Sequence, residues 1–356
     1  MYKEIKPIYF PDDNQAHDAI IEWWYFNGHL KDKDDNHYSF MNCLFKADTK
    51  KVKIPYIKNI PFIDSLNPLK NFYFAHSFVS DISAQKNYKE TQNISLVSRD
   101  SFNKPLLFAN YISPILTSGY VNNEIVETEL FNFNMKTEFM NLDLKSKKQP
   151  LLEGGEGHIS VCDRESYYYS LTDLKTKGTI NIDGKTIEVT GKSWMDHQWA
   201  DVSYQEDKWS WFSIQLENGL DIMCVEYDDK KKKDFLVDMI DHEGKSEHYK
   251  NLILKPGNEI WKSSQTKAEY PLSWTIEIPD KNIVLKVRSL MSDQEFISNA
   301  INYWESPIEV VAIVDGKEVP GVGFMELVGY PSDFNYLLYM SKDIKKQVSE
   351  IFKKRS

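Results

Sequence analysis

The chain has 356 residues, 41% of them hydrophobic and 27% charged, with a net charge of −10 and a sequence pI of about 5.4. That length exceeds one average domain, so two domains are expected, and the acidic balance offers no general attraction for nucleic-acid phosphates. Three scattered cysteines, Cys43, Cys162 and Cys224, exclude a disulfide framework, and without a CxxC pair they suggest no zinc site.

The N-terminus, "MYKEIKPIYFPDDNQ", lacks the charged, apolar and small-residue regions of a signal peptide, so the chain reads as cytoplasmic unless a leader has been removed. No stretch approaches the roughly 20 apolar residues of a membrane span, which leaves only peripheral membrane contact open. Next comes "EWWYFNGHL" (22–30), an aromatic strand followed by a loose turn, "KDKDDNH", and a second apolar strand, "YSFMNCLF". Residues 50–71 hold three prolines and little alternation, as expected of an irregular insertion or lid over a barrel mouth. Strand-like "FAHSFVSD" (74–81) follows.

Further along, Asp183-Gly184, Asn218-Gly219 and Asp315-Gly316 each sit between alternating apolar positions. These pairs supply the positive φ angles of tight primed hairpins. "DHEGKS" (241–246) reads as another turn, and "DDKKKKD" (228–234) as a solvated loop tip. The clearest helix signal is at the end, where Ser341 can cap a segment with Ile344, Val348, Ile351 and Phe352 along one face. The rest reads as antiparallel β. An internal echo, "WWYFNGHL" against "WSWFSIQL", aligns Trp23 with Trp209, Phe26 with Phe212 and Leu30 with Leu216. It suggests two related β domains, 1–203 and 204–356, divided near residues 200–208.

Four clusters place acids or histidines among aromatics. In the first, Glu22, Trp24 and Phe26 share one strand face and Trp23 and Tyr25 the other. A carboxyl beside Trp24 would be desolvated and held neutral. The second sets His76 between Phe74 and Phe78, with Asp81 beyond; His76 could shuttle a proton if a carboxylate fixes its tautomer. The third is "GKSWMDHQWAD" (191–201). Asp196 and His197 are adjacent and face opposite ways in a strand, so they should not form a dyad. Asp196 shares a face with Trp194, and His197 is expected to share one with Trp199 only if the strand bends. Burying either without partners is costly. The fourth runs from Trp304 and Glu305 through the Asp315-Gly316 hairpin to Glu326. GxSxG, P-loop, HExxH and GxGxxG motifs are all missing, so no cofactor and no metal are expected.

In this order the blocks "EWWYFNGHL", "FAHSFVSD", "GKSWMDHQWAD", "WSWFSIQLENGLDIM" and "YWESPIEV…GVGFMELVGY" resemble those of the AttH-like proteins and carotenoid 1,2-hydratases (hydroxyneurosporene synthases). The resemblance spans about residues 20–330. Gln198 stands where the family usually has Glu, and Ser306 where Gly is common. The resemblance implies two lipocalin-like antiparallel β-barrel domains packed side by side, a hydrophobic ligand, and neither metal nor organic cofactor. It also suggests a reaction: protonation of an alkene in an isoprenoid or polyene, then water addition or ring closure. Asp196 is the expected proton donor, with His76 or His197 as partner and Glu22 and Glu305 as reserve acids. Trp24, Tyr25, Trp194, Trp199, Trp211 and Trp304 are expected to line the pocket. A lipocalin-like carrier of a hydrophobic small molecule and an inactive structural or export-associated protein are the alternatives.

Overall fold

The computed structural model describes residues 6–48, 71–92, 96–97, 106–112, 122–202, 207–297 and 302–330. The expected lid, apart from Asn71, and the expected terminal helix lie outside the described residues.

Alternating burial and turn-bounded runs of Val, Ile, Tyr and Phe give an all-β protein, with every strand pair antiparallel. Among the described residues there is no α-helix, and no helix is long and apolar enough to cross a membrane. Among the described residues two large sheets dominate, one with 13 strands between Ile21 and Ala200, the other with 10 strands between Lys208 and Val328.

The sheets share an order. In the first, Ile21–Lys31 lies between its hairpin partner His37–Asp48 and the late strand Lys185–Ala200, which in turn pairs with Arg164–Ile182. In the second, Lys208–Leu216 lies between Asp221–Asp228 and the late strand Lys317–Val328, which pairs with Asn302–Val314. The echoed segments therefore occupy the same place in each sheet. Each late hairpin is turned by the dipeptide that alternation suggested: Asp183 and Gly184 have φ of 48° and 73°, Asp315 and Gly316 50° and 75°. The third differs. Only Gly219 of its pair has positive φ, and the Asn218 side chain instead accepts the Leu220 N–H at 3.1 Å.

Strand alternation sorts side chains into three apolar layers. Trp24, Phe26 and Leu30 enter a core within the first sheet, and Phe212, Ile214 and Leu216 one within the second. Between the sheets lies a third core, where Tyr25, Cys43, Phe45 and Tyr168 from one side meet Trp211, Tyr227, Tyr303 and Phe324 from the other. Hydrogen bonds lock this layer: His29 Nε2 bonds the Gly323 carbonyl at 2.8 Å, and Lys148 Nζ holds the Asp221 carboxylate at 2.6 Å.

Candidate active site

The layer between the sheets contains a cavity of about 70 Å³. At roughly 10–15 Å³ per water-sized probe it has room for about five such probes, enough for a reacting carbon, its oxygen and a few neighbours. Its walls come in matched pairs. Counting from the echoed tryptophans, Trp23 pairs with Trp209 and Tyr25 with Trp211. The strand partners of these residues extend the match: Phe45 lies opposite Trp23 as Tyr227 lies opposite Trp209. Asp196 lies opposite Tyr25 as Glu326 lies opposite Trp211. Asp196 and Glu326 are thus equivalent positions of the two sheets, and both line the cavity.

The two acids have different partners. Asp196 Oδ1 accepts from Ser170 Oγ and from Trp194 Nε1, both at 2.6 Å, and Oδ2 accepts from the Tyr168 hydroxyl at 2.6 Å. Burial pushes this carboxyl up to about 6, and these three donors hold it from rising further. Tyr168 in turn accepts from Trp211 Nε1 at 3.1 Å, so the support of Asp196 crosses to the second sheet. The position opposite Asp196 is Ser170; the position opposite Glu326 is Glu305. Glu305 is fully buried and accepts from the Tyr25 hydroxyl. Glu326 is half-buried and accepts from Trp209 Nε1 at 2.6 Å. Burial, then the charge of Glu326 at the opposed strand position, drives Glu305 well above the carboxylate range, so it keeps its proton at neutral pH. Burial takes Glu326 up to about 7. Two carboxyl groups at directly opposed strand positions, one fully and one half buried, do not both ionise at neutral pH.

His197 and Glu22 lie on the opposite face, away from the cavity. His197 Nε2 donates to Glu22 at 3.0 Å, His17 Nδ1 reaches the same oxygen at 2.7 Å, and Lys46 Nζ lies 3.1 Å from the other. Burial works to raise the Glu22 carboxyl, but the bonds from His17 and His197 outweigh it and hold it down at about 2. Glu22 is therefore an ionised anchor, which corrects the expectation of a neutral acid beside Trp24. Burial lowers His197 to about 4. Trp24 stacks on His197 with ring centroids 4.7 Å apart, and Trp199 stacks on His17 at 3.8 Å. Neither lines the cavity. His197 and Trp199 share a face without any bend, because residues two apart in a strand always do. Ligand atoms of His17, Glu22 and His197 lie within 4.8 Å of one another, a spacing a metal could use. In this arrangement both rings bond Glu22, and Lys46 lies beside its other oxygen.

His76 is buried one shell behind the wall. Its Nδ1 is 2.7 Å from the hydroxyl of Tyr303, which lines the cavity, and its ring stacks on Phe296. Burial takes it down to about 3, so it is neutral, and among the described residues it meets no carboxylate that could fix its tautomer. Trp304 belongs to the core of the second sheet, with Nε1 donating to the Ser292 carbonyl at 2.8 Å. Of the residues singled out from sequence, Asp196, Tyr25 and Trp211 line the cavity, Trp194 and Glu305 support its acids, and Glu22, Trp24, His197, Trp199 and Trp304 do not reach it. Gln198 lines it too, and its Nε2 donates to Ser166 Oγ at 2.8 Å. Sequence reasoning did not assign Trp23, Phe45, Tyr168, Trp209, Tyr227, Tyr303 or Glu326 to the site. The echo carried that signal: extended through the late hairpins, it aligns Asp196 with Glu326.

Comparison with known proteins agrees with this architecture. The profile of the AttH-like family matches residues 2–330. An AttH protein from Nitrosomonas europaea superposes with a TM-score of 0.69 at 23% identity, covering 91% of this chain and 98% of that one. Kievitone hydratase from Nectria haematococca superposes with a TM-score of 0.70 at 15% identity, covering 90% and 93%. Dehydratase asqC of Emericella nidulans is 23% identical over 196 residues, 51% of this chain and 55% of the enzyme, so the match spans little more than half of that relative.

Proposed function

This chain belongs to the AttH-like family, and we propose that it is a hydro-lyase that adds water to, or removes it from, an apolar small molecule held between the two sheets. The observation that carries this reading is the convergence of Asp196 and Glu326 on one aromatic cavity, with Glu305 paired to Glu326 on the next strand. Adding or removing water across a carbon–carbon bond needs one group that gives a proton and one that takes it. Carboxyls whose burial brings them near neutrality can do both at physiological pH. The surrounding rings suit an electron-poor carbon: a cation over an aromatic face gains about 0.5–2 kcal/mol. A hydratase and a dehydratase among the similar proteins support the same reaction class. In this reading the substrate is an isoprenoid, a polyene or another largely hydrocarbon molecule whose reactive end enters the cavity. The halves 1–203 and 204–356 act as two lipocalin-like domains with the site at their junction.

The test is oxygen exchange. The protein is incubated in ¹⁸O-labelled water with a panel of apolar tertiary, allylic and benzylic alcohols and the corresponding alkenes. A hydro-lyase places label in the alcohol of its substrate, and Asp196→Asn stops the exchange. Exchange that persists undiminished in Asp196→Asn rules out this site. Mass spectrometry of organic extracts from the purified protein separates the carrier alternative: a ligand retained equally by Asp196→Asn, with no exchange, marks a binding protein.

A further inference from the structure

We infer that Glu305 and Glu326 share a single proton and are the proton donor of the site, while Asp196, at the equivalent position of the other sheet, is the proton acceptor. This rests on the hydro-lyase reading for its chemistry and on geometry for its proton count. The two positions have diverged through one neighbour each. Opposite Asp196 stands Ser170, whose hydroxyl adds to the Tyr168 and Trp194 donors, so every bond Asp196 makes is one it accepts. Three donors on two oxygens favour the ionised form. Opposite Glu326 stands a second carboxyl, and one of the pair must keep a proton to bond the other. The Tyr25 hydroxyl and Trp209 Nε1 each fill one further oxygen, which leaves the shared proton between the two acids. Glu326 is half-buried beside half-buried Trp23 and Trp209, so this edge can exchange protons with water.

The resting site is therefore loaded for elimination. The pair gives its proton to the leaving hydroxyl, and the C–O bond breaks to release water. Asp196 takes the proton from the adjacent carbon, and the C–H electron pair becomes the new π bond. The products are an alkene and water, and Asp196 returns its proton to the pair through solvent. The substrate this fits is an apolar tertiary, allylic or benzylic alcohol, whose carbon bears positive charge most easily. Because the acceptor belongs to the first sheet and the donor to the second, hydroxyl and hydrogen leave from opposite faces.

Infrared spectroscopy tests the proton count without a substrate. The difference spectrum at about pH 8.5, above the Glu326 value of about 7, between the wild type and Glu305→Gln/Glu326→Gln should contain one protonated-carboxyl band and one carboxylate band. Two carboxylate bands, or two protonated ones, overturn the pair. If the double variant does not fold, Glu326→Gln alone should remove one carboxylate band and shift one protonated band. With the alcohol found by ¹⁸O exchange, Glu326→Gln should lower kcat by about 10²–10⁴-fold. The enzyme should also release the deuterium placed anti to the hydroxyl. Wild-type kcat in Glu326→Gln, or loss of the syn deuterium, overturns the donor assignment. No exchange with any alcohol, together with an intact one-proton pair, refutes the hydro-lyase reading and the donor role while leaving the proton count standing.

Discussion

Replacing Asp196 with Asn should stabilise the protein near neutral pH. The Asp196 carboxyl is 3% exposed and its pKa is raised from 3.8 to about 6, burial being the main cause. At 1.36 kcal/mol per pH unit, holding it ionised in the fold costs about 3 kcal/mol once the pH exceeds both values. The sign follows from the protons bound. Between pH 4 and 6 the folded state binds the proton and the unfolded state does not, so the cost is relieved as the pH falls through 6 and is gone below 3.8. Asparagine is never ionised and avoids the cost throughout. Its amide cannot accept the Tyr168 hydroxyl that Oδ2 accepts at 2.6 Å, which returns about 1 kcal/mol. The variant should therefore be more stable by about 2 kcal/mol at pH 8, and about 0.5 kcal/mol less stable than the wild type near pH 4, where part of the cost remains. Urea unfolding at pH 4, 5, 6, 7 and 8 measures this directly. A variant destabilised equally at every pH would refute the reasoning and make Asp196 a structural corner tie. A stability gain joined to loss of turnover is what a strained functional group produces.

Glu22→Gln should do the reverse. Glu22 falls from 4.5 to about 2 in the fold, so it contributes about 3 kcal/mol that is present above pH 4.5 and lost as the pH drops toward 2. Urea unfolding should show a gap that narrows below pH 4.5 and leave oxygen exchange unaffected once folding is corrected for. Tyr168→Phe removes one donor to Asp196, so ¹³C NMR of the aspartate carboxyl should show it titrating above 6; an unchanged or lower value would mean that the bond does not stabilise the charge. Gly191→Ala would set a Cβ 1.9 Å from the His29 carbonyl oxygen in the paired strand, and should cost about 3 kcal/mol or more in thermal or urea unfolding.

What could be read from the sequence depended on how far each signal extends along the chain. Alternation and Asp-Gly pairs act over a few residues, so the strands, the late hairpins and the opposed faces of Asp196 and His197 were legible. Protonation states were not, because they depend on the strand opposite. Glu22 and Glu305 both follow or precede tryptophan, yet one meets two histidines and a lysine and is ionised, while the other meets Glu326 and is neutral. Trp24 and Trp304 looked like pocket walls because tryptophan beside an acid suggests one. Alternation turns both into the sheet cores, and the cavity falls to the odd-numbered face of Trp23 and Tyr25.

The faint echo between two tryptophan strands was the most informative signal, since it implies a site with two related halves. Ser170 and Glu305 then become the informative difference, for they face Asp196 and Glu326 from equivalent places. A single site that must both give and take a proton needs its two halves to differ in proton affinity. One substitution on the neighbouring strand, a hydroxyl in one half and a second carboxyl in the other, supplies that difference while leaving the aromatic walls nearly matched.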